Sequence, residues 1–248
     1  DTPFTITGIS QDSTAVITTS TNHGFSTGST ITLDDIEGMS ALNITASTAH
    51  SAYIILNSSS VTTFTIGSLG STPITSTALT PWVSSGKVRK KVLTVSGASH
   101  LAGETVAVLA DGAVHPQSTV TSTGGVTLNY SAAVVQLGYP YTHKFKTMRL
   151  APNTQYGAGF GQIMKVSQVA LMLLDSGSFG VGTDFANLST VDFRQVNQAM
   201  DTATPLVSTE YIFDYPGDFT EDPRIAIQSS NPQPFTLLGL VPKIEPSA

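Results

Sequence analysis

At 248 residues the chain is long enough to bury one large β domain or two smaller ones without a staple. It has no cysteine, which excludes disulfides, thiolate metal sites and a cysteine nucleophile. A net charge of −6, with only 11% of residues charged, excludes the concentrated Lys and Arg surface on which tight nucleic-acid binding depends. No stretch has the apolar length of a membrane-spanning helix, and the first residues carry neither a basic leader nor an apolar signal region. Serine and threonine are abundant, so the expected surface is rich in hydroxyls and poor in charge.

Over residues 4–67 the chain reads as short runs rich in Thr, Ile and Val, at 4–9, 15–19, 30–33, 51–56 and 62–66, each bounded by Gly, Asn, Ser or Asp. Five such strands predict a small barrel or sandwich, because closure removes the edges a Thr-rich sheet would expose. In the turn from Asn22 to Gly28, Gly24 and Gly28 are expected at backbone angles closed to other residues. His23, beside Gly24, is read as bonding turn backbone, since no second ligand stands at metal spacing. Asp34, Asp35 and Glu37 form the densest acidic group, but lack the alternating oxygen ligands of a calcium loop and are read as a solvated turn.

Residues 69–91 are read as a Ser/Thr/Pro-rich connection, with Trp82 anchoring its exit. The basic run Lys87-Val88-Arg89-Lys90-Lys91 is expected to be a solvated linker or a charged strand edge rather than a phosphate site. A meander is predicted over 100–150, from apolar runs at 105–110, 126–130 and 134–137. Asp111-Gly112 and Gly124-Gly125 separate these runs, as dipeptides able to supply positive φ. Tyr139-Pro140-Tyr141 closes this stretch. The glycines at 157, 159 and 161 follow no P-loop pattern, because no Lys stands at the required distance. Residues 162–174 suit helix or strand by composition, and a weak helix is possible at 191–199. Strands are predicted at 209–213, 224–228 and 235–241, with turns at 215–218 and at Asn231-Pro232-Gln233-Pro234.

Nothing in the motifs is catalytic. The five histidines, at 23, 50, 100, 115 and 143, form no ligand pairs, and neither GxSxG nor HExxH occurs. Asp111 and His115 are read as turn and exit residues of a hairpin. No enzyme activity, cofactor or metal is expected.

Three blocks resemble known families. The first, HGFSTGSTITLDDIEGMSALN followed by TFTIG, is similar to a small β module of phage tail proteins that is named for its likeness to a domain of ubiquitin-activating enzymes, with His23, Gly24, Gly28, Gly38, Met39 and Asn43 on the motif positions. In that resemblance Met39 and Leu42 plug the barrel end and Asn43 satisfies turn backbone. The second block, HLAGETVAVLADGAVHP with LGYPYT, places Asp111, Gly112, Pro140 and Tyr141 on motif positions. The third, EDPRIAIQSSNPQPFTLLGLVP, does the same for Pro232 and Pro234, with Asn231 where the family usually has Asp.

Together, in family order, the blocks resemble the tail tubular protein B or nozzle family of tailed phages, also called packaged-DNA-stabilisation proteins. The resemblance makes 162–174 a strand. It implies an all-β chain: a barrel-like module at 1–68, the connection at 69–91, and a larger antiparallel β-sandwich or platform at 92–248. It further implies a virion tail protein forming a homohexameric ring beside adaptor and fibre or spike proteins, with viral DNA in transit through it and no membrane. On the same reading the chain is the C-terminal part of a longer protein. Two other readings stay open: a receptor- or glycan-binding tail module, in which Trp82, Tyr139 and Tyr141 stack on sugars, and a cell-wall-degrading tail enzyme.

Overall fold

The computed structural model describes residues 2–43, 52–151, 153–154, 157–158, 162–196, 198 and 203–246. His50, Gly159, Gly161 and Ala199, singled out above, lie outside the described residues. The fold is all-β, a closed six-stranded barrel followed by further antiparallel sheets.

The barrel is built from β1 (Phe4–Ile9), β2 (Val16–Thr19), β3 (Thr30–Glu37), β4 (Tyr53–Asn57), β5 (Thr63–Gly67) and β6 (Ser84–Lys90), in the closed order β1-β2-β5-β4-β3-β6. Alternation does the sorting: Ile6, Ile17, Ile31, Leu33, Ile55, Phe64, Ile66 and Val88 point inward and are buried, while their Thr and Lys neighbours face out. A short 3-10 turn, Ser40–Leu42, brings Met39 and Leu42 into the same core.

Five of these strands are the expected ones, within two residues at most ends and with β3 running four residues further. The sixth corrects the reading of 69–91 as a connection and of its basic run as a solvated linker or charged strand edge, since Ser84–Lys90 is a strand paired on both sides within the barrel. Val88 is fully buried between Lys87 and Arg89, which pair across the strands with Asp34 and Thr32 of β3 respectively. Lys87 Nζ bonds Asp35 Oδ2 at 2.6 Å, and Arg89 bonds Asp34. The acidic turn and the basic linker are two faces of one strand pair, whose charges cancel locally. Lys87 holds the Asp35 carboxyl below its ordinary range, first by hydrogen bond and then by charge.

One residue later the chain enters β7 (Val92–Val95), then β8 (Thr105–Ala110), β9 (Ala113–Thr119), β10 (Val126–Ala132) and β11 (Val135–Gly138). Strands β8 and β9 form the hairpin expected at Asp111-Gly112, both residues taking positive φ, 49° and 80°. The simple meander is not formed. Strand β10 pairs with β7 and β11 pairs with β8, so the run folds as two small sheets around Val106, Val108, Ala110, Val126, Leu128 and Ala132. The reason lies at Gly124: its carbonyl accepts the Ala98 amide at 3.0 Å, and the Gly-Gly turn aims the chain at the segment after β7 rather than back along β9.

The chain divides into two compact units, one comprising residues 1–138 with 197–203, the other 139–196 with 204–248. The single domain expected at 92–248 is thus cut at Gly138, because the strands on either side serve separate cores. In the second unit β12 (His143–Lys146), β16 (Phe179–Gly182), β17 (Leu188–Val191) and β19 (Ala226–Ser229) make a sheet of order β12-β19-β16-β17. The short pair β13 (Asn153–Thr154) and β14 (Gly157–Ala158) stands apart from it. A second sheet, of order β18-β15-β20, consists of β15 (Met164–Leu174), β18 (Glu210–Asp214) and β20 (Thr236–Pro246). Val166, Val169, Leu171, Phe179, Val181 and Ile227 fill the space between these two sheets. Residues 162–174 are therefore strand, and Val191 ends β17 instead of opening a helix.

Gly38 gives a direct test of barrel closure. Its φ is 88°, and a Cβ there would lie 2.2 Å from the Pro81 carbonyl oxygen, whereas Gly28 at φ 86° faces open space. Gly28→Ala is expected to cost about 1 kcal/mol through backbone strain alone. Gly38→Ala adds a backbone clash and should cost roughly twice that or more, read as the difference in urea midpoint between the two variants. Equal losses would refute the close approach at Gly38.

Candidate functional site

The motif residues of the sequence occupy places where side chains replace backbone partners. In the barrel, His23 is buried, and its Nδ1 accepts the Phe25 amide at 2.9 Å. The imidazole stacks on Phe25 and meets Phe64 edge-on, with centroids at 4.8 and 5.0 Å. An acceptor at Nδ1 requires the neutral ring. Burial lowers the His23 pKa, and the carbonyls of Thr63 and Ser60 offset part of that shift. Gly24 beside it adopts φ 63°. Asn43 bonds Ile36 in both directions, its Oδ1 accepting the amide at 2.7 Å and its Nδ2 donating to the carbonyl at 2.8 Å, as a neighbouring strand would. A cavity of about 320 Å³ at this end is lined by Thr2, Phe4, His23, Gly24, Phe25 and Lys90.

Asp111 is the most heavily used motif residue. From its left-handed turn position its carboxylate accepts the amides of Ala133, at 3.0 Å, and Val134, at 2.8 Å, while its own amide donates to the Val134 carbonyl. The same carboxylate takes Lys91 Nζ at 3.2 Å, and the Lys91 side chain is 2% exposed. One acid therefore fastens the β8–β9 hairpin to the β10–β11 turn and both to the residue that leaves the barrel. A groove of about 270 Å³ runs alongside, lined by Thr32, Asp34, Arg89, Asp111, Gly112 and Val134 among others. Four residues on, His115 is buried, with Nε2 accepting the Asn129 amide at 2.8 Å and Nδ1 within 2.8 Å of the Pro116 carbonyl. With both ring nitrogens on backbone, His115 spans β9 and β10 and has no nitrogen left for a substrate.

In the second unit, the turn at Pro232 and Pro234 holds Gln233 buried against Gly177, and the Gly177 amide donates to the Pro234 carbonyl at 2.9 Å. Asn231 Nδ2 bonds Ser178 Oγ at 2.7 Å. Pro140 is exposed, as are Tyr139 and Tyr141, and the Tyr141 ring lies 4.3 Å from that of His143. Trp82 belongs to the first unit and is half-buried against the barrel core, its Nε1 donating to the Ser85 carbonyl at 2.9 Å. Tyr139 and Tyr141 open the second unit.

The sequence reading missed a cleft of about 500 Å³ in the second unit whose walls include Thr183, Asn187, Asp218, Thr220, Asp222 and Arg224. The Tyr215 hydroxyl supports it with its one proton, which lies within reach of the carbonyls of both Gly182 and Arg224, and burial pushes its pKa strongly up. Arg224 Nε is held by Asp222 at 2.9 Å. The turn at 215–218 was legible, but its position over the β16–β17 loop was not, because 33 residues separate the partners. Lys91 was missed as well: within a run of four basic residues, nothing marks the one that is buried.

Among the described residues no group of three or more His, Asp and Glu could hold a metal ion, and no helix is long and apolar enough to cross a membrane. No protein-family model matches the chain, and no curated protein matches it. Fold and side-chain arrangement define the molecule as an all-β scaffold whose polar motif residues hold backbone in place.

Two measurements check this description. Asp111→Ala leaves Lys91 buried without its partner and frees two amides, and is expected to cost about 3–5 kcal/mol by urea denaturation. Asp111→Asn, which keeps an acceptor, should cost less. A loss below ~1 kcal/mol for the alanine variant would contradict the junction. For His23 the folded pKa lies below the unfolded value of 6.5, so the unfolded chain binds the proton more readily. Its contribution is complete above the unfolded pKa and is lost as pH falls from there through the folded value. His23→Gln should flatten this limb of the melting temperature against pH, and an unchanged slope would refute it.

Proposed function

We propose that this protein is a structural component of a phage tail, of the tail tubular protein B or nozzle kind, acting as part of a ring through which DNA is retained and then ejected. The observation that carries this reading is the use of the motif residues. Asn43 and Asp111 spend their polar side-chain atoms on backbone or on one buried ion pair, and His23 gives its Nδ1 to a backbone amide, so these residues serve shape rather than chemistry. The order of the three motif blocks along the chain and the all-β architecture support the same family. A scarcity of Lys and Arg suits a surface that lets DNA pass without gripping it. On this reading the protein is not an enzyme, needs no cofactor, assembles as a homohexameric ring in the virion tail, and adjoins adaptor and fibre or spike proteins.

A receptor- or glycan-binding role is the second reading, favoured by one observation: Tyr139 and Tyr141 are 59% and 68% exposed. Trp82 is less suited to stack on sugar, since it packs partly buried against the barrel core. The two readings separate in one pair of experiments. Antibody against this chain should label the tail of purified virions of the encoding phage, and native mass measurement should find a cyclic oligomer. Absence from virions would refute the ring. Glycan-array binding lost in Tyr139→Ala and Tyr141→Ala would favour the second reading.

A further inference from the structure

Charge is scarce in this chain, so the opposite charges carried by two sheet edges of the second unit are informative. Strand β12 carries His143, Lys144, Phe145 and Lys146, and among the described residues it pairs only with β19. Lys144 and Lys146 are exposed, Phe145 is 48% exposed, and the following Met148 is 85% exposed. Lys144 sits over the Phe185 ring at 5.3 Å, which leaves it at the surface. Among the described residues strand β18, in the other sheet of the same unit, pairs only with β15. It exposes Glu210, Ile212 and Asp214, all on the outer face of its sheet.

That outer face is apolar beyond the rim. Ile212, Ala170 and Val241 lie in one cross-strand row, with Met172 in the next, and Ile212, Val241 and Met172 are 60%, 62% and 50% exposed. The acids here are Glu210 and Asp214 on β18 and Glu245 on β20, where Glu245 is offset by Lys243 two residues before it, and Gln168 bonds Asp214 at 3.0 Å. The unit therefore has one basic edge and one acidic edge of matching length, four and five residues, each beside exposed apolar side chains.

We propose that β12 of one copy of this chain pairs with β18 of the next. The occupant of each edge is a second copy, by charge complementarity. Two β12 edges would set Lys144 and Lys146 against their own kind, and two β18 edges would do the same with Glu210 and Asp214. Symmetric pairing is therefore opposed, and head-to-tail pairing is favoured. A head-to-tail contact repeats until it closes into a ring or runs on as a filament. Phe145 and Met148 would then meet the apolar row around Ile212 and take it out of water. This deepens the ring reading and rests on it for cyclic closure.

The test uses the full chain in sedimentation velocity over a range of concentrations. Wild type is expected to assemble, and to weaken as salt screens the edges. Lys144→Glu with Lys146→Glu makes both edges acidic, and Glu210→Lys with Asp214→Lys makes both basic. Each double variant should associate about tenfold more weakly or worse, while an equimolar mixture of the two reassembles, since every joint is again acid against base. Near-UV circular dichroism verifies folding, and the single variants Lys146→Glu and Glu210→Lys repeat the cross if either double variant is unfolded. Variants that assemble as wild type does would overturn the β12–β18 contact while leaving the ring intact. A wild-type chain monomeric at every concentration would overturn both.

Discussion

The buried pair of Lys91 and Asp111 is the constraint on which the first unit depends. Lys91 separates the last strand of the barrel from the first strand of the next sheets, with no linker between them. Its ammonium leaves water almost completely, a change that costs several kcal/mol unless an anion and further hydrogen bonds meet it. Asp111 supplies that anion only because a left-handed turn aims its carboxylate at two amides and the ammonium together. An apolar pair would fill the space as well. It would not specify which turn must meet which strand, and that choice fixes where the barrel ends and the second core begins.

Much of this architecture was legible in the sequence, for reasons that can be located. Residues such as Ile6, Ile17, Phe64 and Ile66 alternate with Thr at a period of two, and a period of two has one structural meaning at those run lengths. Asp111-Gly112 dictates a two-residue hairpin because both positions require positive φ. Pairing between distant segments was not legible. Val126–Ala132 has the composition of a strand in any sheet, and its partner was decided by where the Gly124 carbonyl found the Ala98 amide. The basic run at 87–91 misled because its informative feature is one buried valine among cations, and charge masked the alternation.

The candidate sites divide in the same way. A residue that acts on its own neighbourhood, such as His23 on Phe25 or Asn43 on Ile36, can be read from local spacing and side-chain chemistry. The cleft around Asp218 and Arg224 depends on a loop near residue 185, brought to it by the Tyr215 hydroxyl, and no local pattern encodes that meeting.

Scarcity of charge gives each remaining charge more structural weight. In a surface dense with Lys and Glu, an isolated ion pair contributes little, because many alternative partners and solvent compete for it. Here Asp34 and Asp35 meet Arg89 and Lys87 across the strand pair that closes the barrel, and Asp111 meets Lys91 at its exit. Closure removes the barrel's own edges, so those charges work inward, on register. Among its described residues the second unit has no such closure. The end strands of its sheets include β12 and β18, and the charges there face outward, where they discourage pairing with a like edge. One device, opposite charge across adjacent strands, thus sets register within the first unit, and in the proposed β12–β18 contact it would select an oppositely charged strand.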